Sequence, residues 1–305
     1  MKKTILNLYN RMRQKNNGPK LNITSCYSFE DYRAYVRHHL KDPEMNFDVE
    51  KKLLSDAPET FFFNGYCYPC GKKTDFLVDY NGAYPVDGVL MPNWRERLVC
   101  PVCGLNSRMR AAFHIFVMTC APRSKARMYI TEQTTPLFRR LKIAFDNLVG
   151  SEYAGGDVSG GSCNRDGLRS EDVTALSFDN DTFEFILSFD VFEHVISYQS
   201  AFDECFRCLK PGGVLFFTVP FELHSPGNIV RAVRTTQGTI RHIMPPEYHG
   251  DPLNPDGCLC YYHFGWEILD ELKTSGFSEA KALLYHSVPL GYLGGGQVVF
   301  FAVKP

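Results

Sequence analysis

The stretch EDVTALSFDNDTFEFILSFDVFEHV, residues 171–195, and its continuation LKPGGVLFFTVPF, residues 209–221, decide how the chain is read. Within the first, TFEFILSFDVF (182–192) has the aromatic and aliphatic density of a strand. The run VLFFTVPF (214–221) is almost wholly apolar, as in a strand buried on both faces of a parallel sheet. Between them YQSAFDECFRCLK (198–210) carries apolar residues at helical spacing, and Pro211-Gly212-Gly213 reads as a turn.

The same alternation extends outward. ARMYIT (126–131) reads as a strand, TPLFRRLKIAFD (135–146) as a helix and NLVGSEY (147–153) as a second strand. The segment from 154 to 167 is too glycine-rich to be regular, and LRSEDVTAL (168–176) reads as a third strand with its exit. Helix WEILDELKTSGF (266–277) stops at Gly276, and EAKALLYHSV and GGQVVFFAVK close the chain as two further strands. Strands alternating with helices predict a mainly parallel sheet covered by helices. The segment 221–263, rich in Pro, Gly, His and Tyr, is long for a loop and is expected to cover a substrate.

Ahead of this α/β part lie two other regions. Residues 1–60 carry helical patterns in 28–42 and 46–58, the first opening on Ser28 as N-cap. Residues 61–115 hold CYPCGKK and CPVCGLN, so that Cys67, Cys70, Cys100 and Cys103 form two matched pairs, each followed by glycine. Tight turns of this kind aim four thiolates at one ion, and a closed four-sulfur site is structural zinc rather than catalytic. Cys205 and Cys208 fall within an amphipathic helix and are read as core. In GCLCYYH, alternation sets His263 on the face opposite Cys258 and Cys260, against a second metal site. Arg95, Arg97, Arg108 and Arg110 flank the second cysteine pair, either as a solvated basic face or as an anion-binding surface.

Composition narrows the class. With 33 basic and 34 acidic residues, no overall charge points to a polyanion, and nucleic acid is not an expected partner. Residues 1–29 hold six Lys or Arg and no acid (Lys2, Lys3, Arg11, Arg13, Lys15, Lys20), a solvated arm or a means of peripheral membrane contact. No stretch is long and apolar enough for a signal peptide or a membrane span, so a cytoplasmic protein is expected. Eleven cysteines in a chain of this length and character suit reduced thiols and metal ligation.

Asp172-Val173-x-x-Leu176, Phe192-Glu193-His194-Val195 and Lys210-Pro211-Gly212-Gly213, at these distances, resemble the class I S-adenosylmethionine-dependent methyltransferases of the type 11-like subgroup. The resemblance covers about 126–220, with a C-terminal completion to 305. It implies an α/β, Rossmann-like seven-stranded methyltransferase sheet with helices on both faces, over 120–305. It also implies a cofactor site at the carboxyl ends of the strands. There Glu152 would accept from the ribose hydroxyls, Asp172 and Val173 would face the adenine, and Phe189 and Asp190 would lie beside the methionine portion. One departure is large. The family's first loop is rich in glycine, whereas here it reads Thr131, Glu132, Gln133, Thr134, Thr135, Pro136. Thr131, Glu132 and Gln133 would then hold the methionine end through side chains. This loop, with Gly150-Ser151-Glu152-Tyr153 and the cysteine module with Trp94-Arg95-Glu96, is similar to variants found alongside bacterial polysaccharide biosynthesis. The expected acceptor is therefore a small molecule or carbohydrate. His194 is the expected general base, with His224 and His249 as other candidates. A non-catalytic binding protein on the same fold and an RNA methyltransferase are the alternatives.

Overall fold

The computed structural model of the chain describes residues 19–39, 42–54, 59–155, 158–251 and 253–305. The basic positions Lys2, Lys3, Arg11, Arg13 and Lys15 lie outside them. Seven strands form one sheet: β1 (Asn22–Cys26), β2 (Met128–Ile130), β3 (Leu148–Gly150), β4 (Phe183–Phe189), β5 (Leu209–Thr218), β6 (Glu279–His286) and β7 (Val298–Val303). Their order is β1-β6-β7-β5-β4-β2-β3. The four strands from β3 to β5 are parallel. β7 is antiparallel to both its neighbours, and β1 is antiparallel to β6. The chain runs from β2 to β3 on one side and then crosses to β4 on the other. That crossing makes the switch point at which α/β sheets open a crevice.

Among the described residues six helices accompany the sheet: α1 (Phe29–His38), α2 (Asp42–Lys52), α3 (Ser107–Cys120), α4 (Pro136–Ala144), α5 (Tyr198–Cys208) and α6 (Ile268–Thr274). Successive residues of the central strands feed opposite layers, because strand side chains alternate. Leu187 and Phe216 pack with Phe113, Phe116, Leu137 and Leu141 of α3 and α4. Ile186, Leu215 and Phe217 pack with Phe202 of α5 and Leu269 and Leu272 of α6. Each such buried side chain contributes about 1.5–3 kcal/mol of burial free energy. Local chemistry sets the helix starts. Ser28 Oγ accepts from Asp31 N while Asp31 accepts from Tyr27 N. Asn106 caps Met109 N, and Thr135 caps Phe138 N with Pro136 in the first turn.

The count of seven strands matches expectation, but one member differs. Residues 168–176 do not form a full third strand; its remnant is a single parallel bridge between Glu152 and Ser170. The reason is local: Gly161 N donates to Ser170 O and Ser170 N to Ser162 O, so the preceding loop takes up those backbone groups. The seventh strand is instead β1, at the opposite edge, from a segment read above only for helices. The Pro211-Gly212-Gly213 turn is a bulge inside β5. Phe183 pairs with Leu209 but Phe185 with Val214, and Gly212 takes φ +75°.

Residues 60–79 form the hairpin Thr60–Cys67 and Lys72–Asp79. With Met91, Trp94 and Leu98 it builds a third core that also takes in Leu293, next to β7. Gly150, at the end of β3, lies directly beneath the first loop. A Cβ there would stand 2.5 Å from the Phe138 ring and 2.6 Å from the Glu132 carbonyl oxygen. Gly150→Ala is therefore expected to cost about 1–3 kcal/mol in urea denaturation through overpacking. An unchanged midpoint would show that the loop does not need this close approach.

Candidate active site and cysteine centre

Cys67, Cys70, Cys100 and Cys103 converge, with all four sulfurs within 4.8 Å of one another. Sγ–Sγ separations of 3.7 Å for Cys67–Cys103 and 3.9 Å for Cys70–Cys100 match the edges of about 3.8 Å in a tetrahedral site with zinc–sulfur bonds of about 2.3 Å. The turns close through Gly71 N to Cys67 O and Gly104 N to Cys100 O, with both glycines at positive φ. Arg140 of α4 donates to Pro69 O and ties the first knuckle to the α/β part.

The arginines around this module form no solvated basic face, which corrects one of the two expectations. Arg110 is fully buried, donates to Leu290 O, Leu98 O and Gly291 O, and lies 3.7 Å over the Phe76 ring. Arg97 pairs with Asp79. Arg95 and Arg108 reach the carboxyl end of β4. Arg95 donates to both oxygens of Asp190 at 2.8 and 2.9 Å, and Arg108 Nε lies 3.1 Å from Asp190. Glu96 accepts from both arginines and from Asn106. Thr218 of β5 adds a hydrogen bond to Asp190. Burial alone would raise the Asp190 pKa, but Arg108 and Arg95 hold the carboxyl well below the usual range.

Above this cluster the parallel strand ends line two adjoining cavities of about 750 and 550 Å³, the size of small-ligand pockets. Thr131, Glu152, Asp190 and His194 line both. Glu132 and Phe189 line the larger, Asp172 and Val173 the smaller. These eight predicted residues are thus brought to one cleft; Gln133 lines neither cavity. Its amide is taken up by Gly167 O and Arg169 N and pins the first loop to the glycine-rich segment.

The first loop is built around Glu152. Its Oε1 accepts from Gln133 N, Thr134 N and Thr134 Oγ1 at 2.7–2.8 Å, so the amides that a glycine loop would leave open are held by a carboxylate. Asp172 Oδ1 accepts from Thr174 N and Oγ1. The second oxygens of Glu152 and Asp172 have no partner among the described residues. Glu132 is buried and accepts from Thr135 Oγ1; burial lifts its pKa to about 7, against the pull of Thr135 and Arg108.

The 221–263 segment forms short two-stranded ribbons, and through His249, Gly250 and Leu259 it borders the cavities. His194 donates from Nδ1 to Leu259 O at 2.8 Å, and its Nε2 lies 3.2 Å from His249 Nδ1. His224 packs against Tyr32, away from this group. The His249 ring sits between Glu193 and Glu247, which lift its pKa to about 9 against burial. Glu193 and Glu96 are positions near the cleft to which sequence reasoning gave no role, and Arg95 and Arg108, read there as a basic face or anion-binding surface, instead pair with acids. The Glu193-His194 pair and the Trp94-Arg95-Glu96 motif were the signals available.

Residues 141–217 match a family described as "Methyltransferase domain", beginning just past the glycine-free loop. No curated protein matches. Among solved structures, the chain is similar to an S-adenosylmethionine-dependent methyltransferase from Mesorhizobium loti (14% identity, 63% of this chain and 98% of that one, TM-score 0.40). It is also similar to a possible histamine N-methyltransferase from Thermotoga maritima (18%, 65% and 88%, 0.36) and to an S-adenosylmethionine-dependent methyltransferase described from Listeria monocytogenes (10%, 64% and 99%, 0.39). Strand order and the family match over residues 141–217 together give the α/β part a Rossmann-like methyltransferase fold.

Two outcomes follow from the charges. Asp190→Asn keeps the shape but leaves Arg95 and Arg108 underbalanced, and is expected to lower stability by about 3 kcal/mol in thermal denaturation. Glu132 carries a folded pKa above its unfolded value, so its cost is absent below about pH 4.5 and grows as pH rises to about 7. Glu132→Gln is expected to raise stability at pH 8 by roughly 2–3 kcal/mol and to flatten the slope between pH 4.5 and 7. An unchanged slope would show that Glu132 is not the titrating group.

Proposed function

We propose that the chain is an S-adenosylmethionine-dependent methyltransferase for a hydroxyl-bearing small molecule or sugar precursor, with structural zinc at Cys67, Cys70, Cys100 and Cys103. One observation carries this reading. Glu132 and Glu152 follow β2 and β3, and Asp172 follows the bridge at Ser170, so that three carboxylates with no ion-pair partner among the described residues border one cleft. Such a wall suits a cationic sulfonium cofactor whose ribose and adenine offer hydrogen-bond donors. The free oxygens of Glu152 and Asp172 are the acceptors for those groups, and Glu132 faces the charged methionine end. Thr131 and Phe189 supply further parts of the cleft wall.

Methyl transfer from a sulfonium is an in-line displacement. The chain's task is to align the acceptor oxygen with the methyl group and exclude water. The acceptor's proton leaves at the His194–His249 pair, which borders the larger cavity. The four-thiolate centre lies outside this cleft; its contribution is to hold the loop that carries Arg95 and Glu96 and the start of α3 that carries Arg108.

A second reading, a non-catalytic binding protein, draws on the occupied Oε1 of Glu152, which narrows the room for a ribose. Calorimetry with S-adenosylmethionine and with its demethylated product separates the two. Binding of both is expected, weakened by about 1–3 kcal/mol in Asp172→Ala through loss of the adenine contact. No binding of either compound would remove the enzyme reading.

A further inference from the structure

Glu193 stands in the single 3₁₀ turn Phe192–His194 that follows β4, fully buried, and neither carboxylate oxygen has a hydrogen-bond partner among the described residues. Such a group costs on the order of several kcal/mol unless a cation or a proton neutralises it. What surrounds it is specific. His194 Nε2 lies 3.6 Å from Glu193 Oε1, His249 Nδ1 lies 3.5 Å from the same oxygen, and the two nitrogens are 3.2 Å apart.

The tautomers of both rings are set from outside. A backbone carbonyl only accepts, so the contact of His194 Nδ1 with Leu259 O fixes the proton on Nδ1 and leaves a lone pair on Nε2. His249 Nε2 lies 2.9 Å from Glu247 Oε1, and Glu247 is held as a carboxylate by Arg231 at 3.0 Å and His263 at 3.1 Å. In the neutral ring that contact places the proton on Nε2 and the lone pair of His249 on Nδ1. Two nitrogen lone pairs and one oxygen of a buried carboxylate then converge, each imidazole braced by an acceptor on its far nitrogen. Ligating histidines are oriented in this way.

We infer that Glu193, His194 and His249 form a three-ligand site for a divalent metal of the zinc class, separate from the four-cysteine centre, with its open position toward the cleft. The spacing selects the class of ion. Bonds of about 2.0–2.2 Å in a tetrahedron place ligand atoms about 3.3–3.6 Å apart. The three observed separations, 3.2, 3.5 and 3.6 Å, form such a triangular face. Three ligands on the face of a magnesium-type octahedron would stand closer, at about 3.0 Å. Two imidazoles and one carboxylate with a fourth position free is a catalytic rather than a structural zinc arrangement.

His194 borders both cavities and His249 the larger, so the free position opens where the acceptor would enter. An oxygen donor, such as a hydroxyl, is the ligand that position takes. On the methyltransferase reading above, on which this step rests, the two histidines act as ligands in place of the general base, and the bound hydroxyl loses its proton to water. The oxygen–methyl bond then forms as the sulfur–methyl bond breaks, leaving a neutral thioether. Cys260 lies near His249 and Glu247, but its thiol donates to Tyr262 O at 3.2 Å and is not a ligand.

The test measures metal apart from methyl transfer. The full chain, equilibrated with micromolar zinc and freed of unbound ion, is expected to hold about two zinc ions by mass spectrometry. The content should fall to about one in Glu193→Gln and in His249→Gln and stay at two in Cys260→Ser. After cobalt substitution, both depleted variants should keep the thiolate charge-transfer band of the cysteine centre, which reports that they remain folded. A wild-type content of one, or a content of two retained in both depleted variants, overturns the proposal, and so does loss in Cys260→Ser alone. A proton shared between the rings would give the first of these results. Calorimetry with the demethylated cofactor distinguishes the two readings: two zinc ions without cofactor binding removes the methyltransferase and keeps the site, and the converse removes the site alone.

Discussion

The four charges of Arg95, Glu96, Arg108 and Asp190 hold the cysteine module against the carboxyl ends of the parallel strands. They sum to zero, and each is satisfied by at least one opposite charge at hydrogen-bonding distance. This compensates the cost of desolvating them at a strand end. Asp190 takes φ +54°, a conformation that asparagine and aspartate tolerate better than most residues, and this turns its carboxylate toward the module. A metal bound by the four sulfurs would therefore act on the cleft at a distance. It would fix the loop of Arg95 and the start of α3 with Arg108, and those in turn fix the end of β4.

The first loop shows how another solution replaces a glycine-rich one. A glycine loop exposes backbone amides to a ligand because nothing stands between them. Here the amides of residues 133 and 134 are capped by Glu152, and the needed close approach has moved to Gly150 in the strand beneath. The cost is that one oxygen of Glu152 is committed to the protein. The benefit is a rigid turn whose remaining polar groups, Glu132 above all, are side chains rather than backbone.

Features set by neighbours in sequence were legible. The apolar runs of β4 and β5, the Ser28 cap, the stop at Gly276 and the two cysteine knuckles depend on local periodicity and turn chemistry. Features set by distant partners were not. β1 is strand because β6 offers it an edge across more than 250 residues, and NITSC alone carries no such signal. The third strand was lost because residues 168–170 pair with the loop before them, a choice that composition does not reveal. Arg110 reads as surface until Phe76 and three carbonyls are placed around it. The cleft positions of Thr131, Glu132, Glu152, Asp172, Val173, Phe189, Asp190 and His194 followed from strand order. The turning away of Gln133 required knowing where Gly167 and Arg169 lie.

The charge balance of the cleft has a consequence for turnover under the proposed function. Arg95 and Arg108 are consumed by Asp190 and Glu96, and Arg169 by Glu171, which leaves Glu132, Glu152 and Asp172 facing the cavities. A sulfonium cofactor brings one more positive charge than its demethylated product. Opposite charges about 4–6 Å apart in a partly buried site attract by a few kcal/mol. Methyl transfer removes that attraction in the same step that makes the product, so the wall that gathers the cofactor releases its remnant. Placing the compensated charges beneath the cleft and the uncompensated ones on its surface is what makes the two tasks compatible.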